Sequence, residues 1–393
     1  MRRHSCWIRF VLLVALSNVS CIGWAADPLD PAKAKADPDG KLLWYDIRDL
    51  GIEGQGWSDI DSPFDRLPKK AKGVVRDAVW GLSRDSAGMA VRFVTDATTI
   101  HARWTLRSER LAMPHMAATG VSGLDLYAKT DDGRLHWLAV GQPKVFPTNQ
   151  AALASGLPAG NREYLVYLPL YNGVTSVEIG IEKQHRFAKA DARPVTHRKP
   201  ILFYGTSITH GACASRPGMC HPAILGRRFD RPVINLGFSG NGRMEPEVAK
   251  LLAELDPCVY VLDCLPNMQA AEVAERTEPF VRTLREAHPT TPILLVEDRS
   301  YADSFLIASK RTRNLDSRAV YRKAYERLTA AGVKHLSYLE GEQLLGDDGD
   351  GTVDSSHPND LGFARQADAM EKVLRPVLKN QLPSPRNGER GRG

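Results

Sequence analysis

The pattern that most constrains this chain begins at residue 201. Ile201-Leu-Phe-Tyr-Gly205 is a short apolar run closed by a glycine, and comparable runs return at 233–236, 259–263, 293–296 and 335–338. Segments of helical period separate them. Pro246 is suited to the first turn of a helix, after which Val248, Leu251, Leu252 and Leu255 fall on one face. Residues 272–287, with Val273, Phe280 and Leu284, read as the next helix, 320–331 as another, and Phe363, Ala367, Met370 and Leu374 mark the last. Apolar strands alternating with helices predict a doubly wound α/β/α layer structure around a five-stranded parallel sheet.

Upstream the chain has a different grain. Runs at 42–45, 89–93, 99–104, 124–127, 135–140, 164–167 and 174–179 alternate or carry aromatic residues, and turn signals separate them. Asp131-Asp-Gly133 marks a hairpin between two of them. Seven or more short strands without helices argue for a β-sandwich. Because 393 residues exceed what one core serves, the fold class expected is multidomain, all-β plus α/β: a β-sandwich at 41–190 followed by the α/β domain at 198–380. The sandwich carries Trp57, Trp80, Trp104 and Trp137. Tryptophan faces suit sugars, but a sandwich of this size also needs aromatic core residues, and core is the expectation for each.

The two ends are expected to lie outside the fold. Arg2, Arg3 and Arg9 flank an apolar stretch, and Gly23-Trp-Ala25 is a small-x-small cleavage site, so residues 1–25 read as a secretory signal peptide. Export to a periplasm or to the exterior follows. Cys21 offers a lipoprotein alternative, opposed by Asn18 where a lipobox requires an aliphatic residue. No other segment has the length of apolar sequence a membrane span requires. Residues 381–393, rich in Pro, Gly and Arg, are expected to be disordered. The formal charge of +6 includes the arginines of both ends, and what remains is too small for a nucleic-acid-binding surface.

The chemistry gathers at strand ends. Gly205-Thr206-Ser207 presents a hydroxyl at the carboxyl edge of a strand, where open α/β sheets bind ligands. Near the other end, Asp354-Ser-Ser-His357 sets a carboxylate and an imidazole three residues apart. A serine needs such a base to take its proton, and the base needs an acid to fix its tautomer. Gly240, in Gly237-Phe-Ser-Gly240, and Asn267, in Cys264-Leu-Pro-Asn267, each follow a strand of their own. With the Ser207 amide, a glycine amide and an asparagine side chain are suitable donors to an oxyanion.

These four blocks, YGTSITHG with Ser207, NLGFSGNG with Gly240, DCLPNM with Asn267 and DSSHPNDLGF with His357, resemble the SGNH (GDSL-like) hydrolases. Ser122-Gly123-Leu-Asp-Leu-Tyr127 resembles the GxDLY signature of a domain that precedes one bacterial group of them. The family's Gly-Asp-Ser is here Gly205-Thr206-Ser207; the missing aspartate is not a catalytic group, so activity is expected to survive while the substrate does not carry over. The resemblance implies a serine esterase working through Ser207, His357 and Asp354, with no metal and no cofactor. An arrangement of sandwich plus hydrolase is similar to secreted carbohydrate esterases, which points to acetyl esters. Lipid esters or thioesters, and a catalytically inactive glycan-binding protein, stay as alternatives, and the oligomeric state is open.

Thr206 and His210 are candidate pocket residues; His210 could compete as the base but is expected to line the pocket or face solvent. Glu297-Asp298-Arg299 reads as a solvated charge cluster, and Asp347, Asp348, Asp350 and Asp354 as an acidic turn whose spacing misses a calcium loop. Past the signal segment stand Cys213, Cys220, Cys258 and Cys264. Cys258 and Cys264, on one extended strand, would be about 20 Å apart and unable to bond. A Cys213–Cys220 bridge, a Cys213–Cys264 bridge and buried thiols stay open. No C-x-x-C pair or paired-histidine spacing suggests a metal.

Overall fold

The computed structural model describes residues 28–379. The expected signal peptide at 1–25 and disordered tail at 381–393 lie outside the described residues.

In the first half the described strands are β1 (Lys35–Ala36), β2 (Leu42–Asp46), β3 (Ala90–Thr95), β4 (Thr99–Leu106), β5 (Leu124–Lys129), β6 (Leu135–Gly141), β7 (Thr148–Ser155), β8 (Arg162–Tyr167), β9 (Val174–Glu182) and β10 (Phe187–Lys189). They form two antiparallel five-stranded sheets, β1-β2-β9-β4-β7 and β10-β3-β8-β5-β6. β4 shows why they stack. Its alternate residues Ile100, Ala102, Trp104 and Leu106 are buried and share one core with Val91, Phe93, Leu126 and Val166 of the facing sheet. The β5–β6 hairpin turns at Gly133, whose φ of 80° suits the expected Asp-Asp-Gly signal.

Trp104 is a sandwich core residue as expected, whereas Trp137 is 50% exposed. Trp57 and Trp80 are packed elsewhere, because residues between β2 and β3 leave the sandwich. In that excursion, which includes the helix α1 (Asp77–Leu82), Leu67, Ala71, Val75 and Val79 join a core with Leu202, Tyr204, Leu236 and Phe238 of the second half. The expectation of a sandwich without helices is corrected here and at α2 (Ala118–Val121). The buried Arg66 guanidinium fastens the excursion by donating to the carbonyls of Asp85, Leu82, Asn235 and Gly237 at 2.6–3.0 Å.

The second half is a five-stranded parallel sheet: β11 (Ile201–Gly205), β12 (Val233–Gly237), β13 (Val259–Asp263), β14 (Ile293–Val296) and β15 (Leu336–Leu339), in the order β12-β11-β13-β14-β15. Its two faces read directly from β11: Ile201 and Phe203 enter one core, Leu202 and Tyr204 the other. The helices are α3 (Ser207–His210), α4 (His221–Phe229), α5 (Pro246–Leu252), α6 (Ala270–Ala287), α7 (Ala308–Ala330) and α8 (Asp360–Lys379). α4 and α8 cover the first face, α5, α6 and α7 the second. A sheet of this order reverses direction between β11 and β13, and ligands bind at the carboxyl ends of the strands that flank the reversal. Ser207 follows β11 and Asn267 follows β13.

Candidate active site

The serine is placed by a sharp turn. All of β11 is buried; Thr206 then caps α3, its hydroxyl accepting from the Ile208 amide at 3.3 Å. A Cβ on Gly205 would lie 2.2 Å from the Thr209 hydroxyl and 2.6 Å from the Asp263 carbonyl, so the turn admits only glycine there. Ser207 heads the helix with 6% exposure. Tyr171, from the sandwich half, donates its hydroxyl to the Ser207 carbonyl at 3.2 Å.

The histidine arrives 150 residues later on the loop before α8. Its Nε2 lies 2.8 Å from Ser207 Oγ, and its Nδ1 lies 2.7 Å from Asp354 Oδ2. The other carboxylate oxygen accepts from the His357 and Ser356 amides at 2.8 and 3.1 Å. Burial pushes the Asp354 carboxyl up, but these bonds and the charge of His357 outweigh it and hold Asp354 below the usual carboxylate range. An anion therefore faces Nδ1 at neutral pH. Ser355, with φ 73°, makes the left-handed step that turns the loop, and Lys310 donates to its hydroxyl at 2.9 Å.

Gly240 has φ 70° and open space around it. Two residues on, a Cβ on Gly242 would lie 2.1 Å from the Gly205 carbonyl, so the loop after β12 rests against the end of β11. The Gly242 amide donates to Asn267 Oδ1 at 3.3 Å, joining the second and third blocks.

Beneath this surface the expected solvated cluster is instead buried. Glu297, Asp298 and Arg299 are 2–4% exposed, because each charge has a partner inside. Arg299 forms a two-pronged pair with Asp263 and donates to Gln366 at 2.7 Å. Asp263 in turn accepts from Thr209 at 3.0 Å, two residues past the nucleophile position. Asp298 accepts from Arg313 and Asn314 at 2.8 and 3.0 Å, and Glu297 accepts from Tyr338 at 2.6 Å.

His210, expected at the pocket wall or in solvent, is fully buried. Its ring stacks on Tyr171 at 4.1 Å between centroids, with Nε2 at 3.4 Å from Arg66 and 3.5 Å from Asp85. Burial, reinforced by the Arg66 charge, holds His210 well below its ordinary range, so the ring is neutral. Burial pushes the Asp85 carboxyl up to about 7 despite Arg66, Arg110 and Arg107 nearby. Between pH of about 4 and about 7 the unfolded chain has released that proton and the folded chain still holds it, so stability falls as pH rises through this window. An Asp85→Asn variant is expected to lose that decline. In urea unfolding at a series of pH values, its stability relative to the parent should climb from pH 5 to pH 8; a constant difference would contradict the assignment.

The sandwich half also builds the site's edge. Asp125 of the GxDLY run is fully buried and accepts from Trp137 at 2.9 Å and from Arg216 and the Gly218 amide at 2.8 Å, while Tyr127 accepts from Arg216 at 2.6 Å. This signature therefore latches the loop that follows α3. The His115 ring, on a turn ahead of α2, lies 5.8 Å from the His357 ring; no spacing in the sequence pointed to it. Cys213, Cys220, Cys258 and Cys264 are buried thiols that form no disulfide, which resolves the pairings left open. Burial, with the Asp354 charge, pushes the Cys213 thiol up to about 12, out of range for a nucleophilic thiolate at neutral pH. No helix among the described residues is long and apolar enough to cross a membrane.

Comparison with known proteins finds relatives of both halves of the chain. A family model described as GDSL-like lipase/acylhydrolase matches residues 198–375, and one described as the N-terminus of SGNH-hydrolase-type esterases matches residues 42–187. No curated protein matches the chain. Among solved structures, a protein described as a GDSL-like lipase from Bacteroides ovatus is 34% identical with a TM-score of 0.81, over 86% of this chain and 98% of its own. The salicylyl-acyltransferase SsfX3 of a tetracycline biosynthetic pathway shares the fold at 20% identity and a TM-score of 0.65, over 90% of this chain and 98% of its own. So does a family two carbohydrate esterase from Cellvibrio japonicus, at 14% identity and a TM-score of 0.56, over 86% of this chain and 98% of its own. Two family models that divide the chain between them, and one relative at that identity over nearly its whole length, lead to one conclusion: the chain belongs to the GDSL-like lipase/acylhydrolase family, in the group with a GxDLY N-terminus, and is a carboxylic ester hydrolase.

Proposed function

We propose that the protein removes short acyl groups, acetyl foremost, from esterified carbohydrate outside the cytoplasm, through an acyl-enzyme on Ser207. The observation that carries the reading is the hydrogen-bonded relay from Ser207 Oγ to His357 Nε2 at 2.8 Å and from His357 Nδ1 to Asp354 at 2.7 Å. His357 takes the serine proton during attack on the ester carbonyl, Asp354 stabilises the imidazolium, and the proton then passes to the departing alcohol. Water deacylates the serine by the same path in reverse. The Ser207 and Gly240 amides and the Asn267 amide nitrogen, the end of that side chain left when Oδ1 accepts from Gly242, serve the oxyanion.

Two features support a bulky, polar alcohol. The base and the acid of the relay are open to solvent, the His357 and Asp354 side chains being 25% and 41% exposed, so a polymer can approach the site from their side. Structural neighbours that share the fold include an acetyl xylan esterase from Butyrivibrio proteoclasticus and the Cellvibrio japonicus carbohydrate esterase. Export rests on the signal-like residues 1–25.

One observation favours longer acyl chains as a second reading. Phe305 and Leu306 are 73% and 79% exposed on a loop tied to the catalytic turn by the Ala302 amide, which donates to the Ser355 carbonyl at 2.9 Å. A side-by-side assay on acetylated xylan, acetylated monosaccharides, aryl acetates and long-chain aryl esters separates the two. Acetate release from the polysaccharide with little long-chain turnover is expected; a preference for long chains would overturn the acetyl reading.

A further inference from the structure

The fold brings together three donors that no sequence spacing connects. A nitrogen of His115, the sulfur of Cys213 and a nitrogen of His357 all lie within 4.8 Å of one another. We propose that these three side chains form a binding site for a soft divalent transition-metal ion, zinc foremost, whose occupancy withdraws His357 from Ser207 and reversibly silences the esterase. The inhibitory consequence rests on His357 being the base; the binding itself does not.

The donor set fits such an ion. Thiolate with two imidazoles suits zinc or cobalt and not magnesium or calcium. Around a tetrahedral zinc, ligand atoms sit roughly 3.3–3.8 Å apart given bonds of about 2.0–2.3 Å. Separations under 4.8 Å ask each side chain for a small adjustment only, and a water completes the fourth position.

The three are presented from firm supports. His115 stands on a tight turn closed by reciprocal backbone bonds between Met113 and Met116 at 3.0 and 3.1 Å. Met116 is buried in the same apolar cluster as Cys213 and its neighbours Ala212 and Ala214. A Cβ on Gly120 would lie 2.2 Å from the Ala214 carbonyl, so the sandwich backbone sits directly on the Cys213 loop. That loop is joined to the histidine's side of the site through Asp360, which accepts from the Ser215 amide at 2.9 Å and from its hydroxyl.

Asp354 decides which nitrogen of His357 faces the ion. It occupies Nδ1 and leaves Nε2, the atom now shared with Ser207. A carboxylate behind a metal-bound imidazole is the arrangement that orients histidine ligands and raises their basicity. On binding, the Cys213 proton leaves to solvent as an Sγ–metal bond forms, and an Nε2–metal bond replaces the hydrogen bond to Ser207. Nothing is oxidised. The ester chemistry uses neither His115 nor Cys213, so removing them need not cost hydrolysis.

Cobalt(II) titration of the purified full-length protein tests the binding. A thiolate-to-cobalt charge-transfer band in the near ultraviolet is expected, retained in Ser207→Ala and lost in Cys213→Ser. In parallel, zinc should inhibit aryl acetate hydrolysis and a chelator should restore it. His115→Ala and Cys213→Ser should hydrolyse at the parent rate in chelator, yet need more than about tenfold more zinc for half-inhibition. Absence of the band, its persistence in Cys213→Ser, or equal zinc sensitivity in both variants would overturn the site. A protein without esterase activity would still report through cobalt, so failure of the hydrolase reading and failure of this one are separable.

Discussion

A Ser207→Ala variant is expected to hydrolyse aryl acetates about 10⁴-fold more slowly than the parent or worse, with an unchanged circular dichroism spectrum and unfolding midpoint. The size follows from what is lost. Removing the hydroxyl removes the atom that forms the acyl-enzyme, leaving only binding and the oxyanion donors, which by themselves retain a modest advantage over water. The fold should not notice. Among the described residues Ser207 Oγ bonds only to the half-exposed His357, whereas the turn that carries it is held by the Thr206 cap, by Gly205 and by Tyr171. Turnover within tenfold of the parent would end the assignment of Ser207 as nucleophile.

The largest effect on stability is expected at Asp263. Its carboxylate meets the Arg299 guanidinium with both side chains at most 1% exposed. Truncation in Asp263→Ala leaves a buried guanidinium that has lost its two-pronged carboxylate and keeps, among the side-chain hydrogen bonds of the described residues, the one to Gln366. Breaking one side of such a pair costs about 3–5 kcal/mol, because the orphaned charge stays desolvated. Urea unfolding should show a loss of that order. The double variant Asp263→Leu with Arg299→Met should recover much of it, since both charges are then gone. A single variant as stable as the parent would show that the pair does not hold the sheet edge. Thr209, bonded to the same carboxylate, would lose its anchor too, so a fall in turnover should accompany the loss of stability.

The elements that were legible in the chain are those whose burial is written as a period. β11, β12, β13 and β14 are buried along their length and appear as plain apolar runs. What was missed has weak or contradictory signals. β7, Thr-Asn-Gln-Ala-Ala-Leu-Ala-Ser, is poor in β-branched and aromatic residues. α4 contains Pro222 and Gly226, and α7 runs from Ala308, well ahead of the expected 320, through a stretch dense in charge. There, partners rather than propensity hold the chain: Arg313 and Arg318 reach Asp298, its carboxylate and carbonyl respectively. For the same reason Glu297-Asp298-Arg299 looked solvated and is buried, since a charge's fate depends on a partner that local sequence does not name.

By itself the sequence determined the β-rich character of the first half, the alternation of apolar strands with helices from residue 201 onward, and which residue types stand after which strands, because these depend on local period and on turn chemistry. Tertiary structure alone decided that Ser207 and His357 meet across 150 residues, that His210 is sealed away, that the four cysteines form no disulfide, and that His115 of the sandwich reaches the catalytic edge. Those outcomes are set by long-range packing. The excursion after β2 and the GxDLY latch press one half of the chain onto the other, and no pattern within either half encodes that contact.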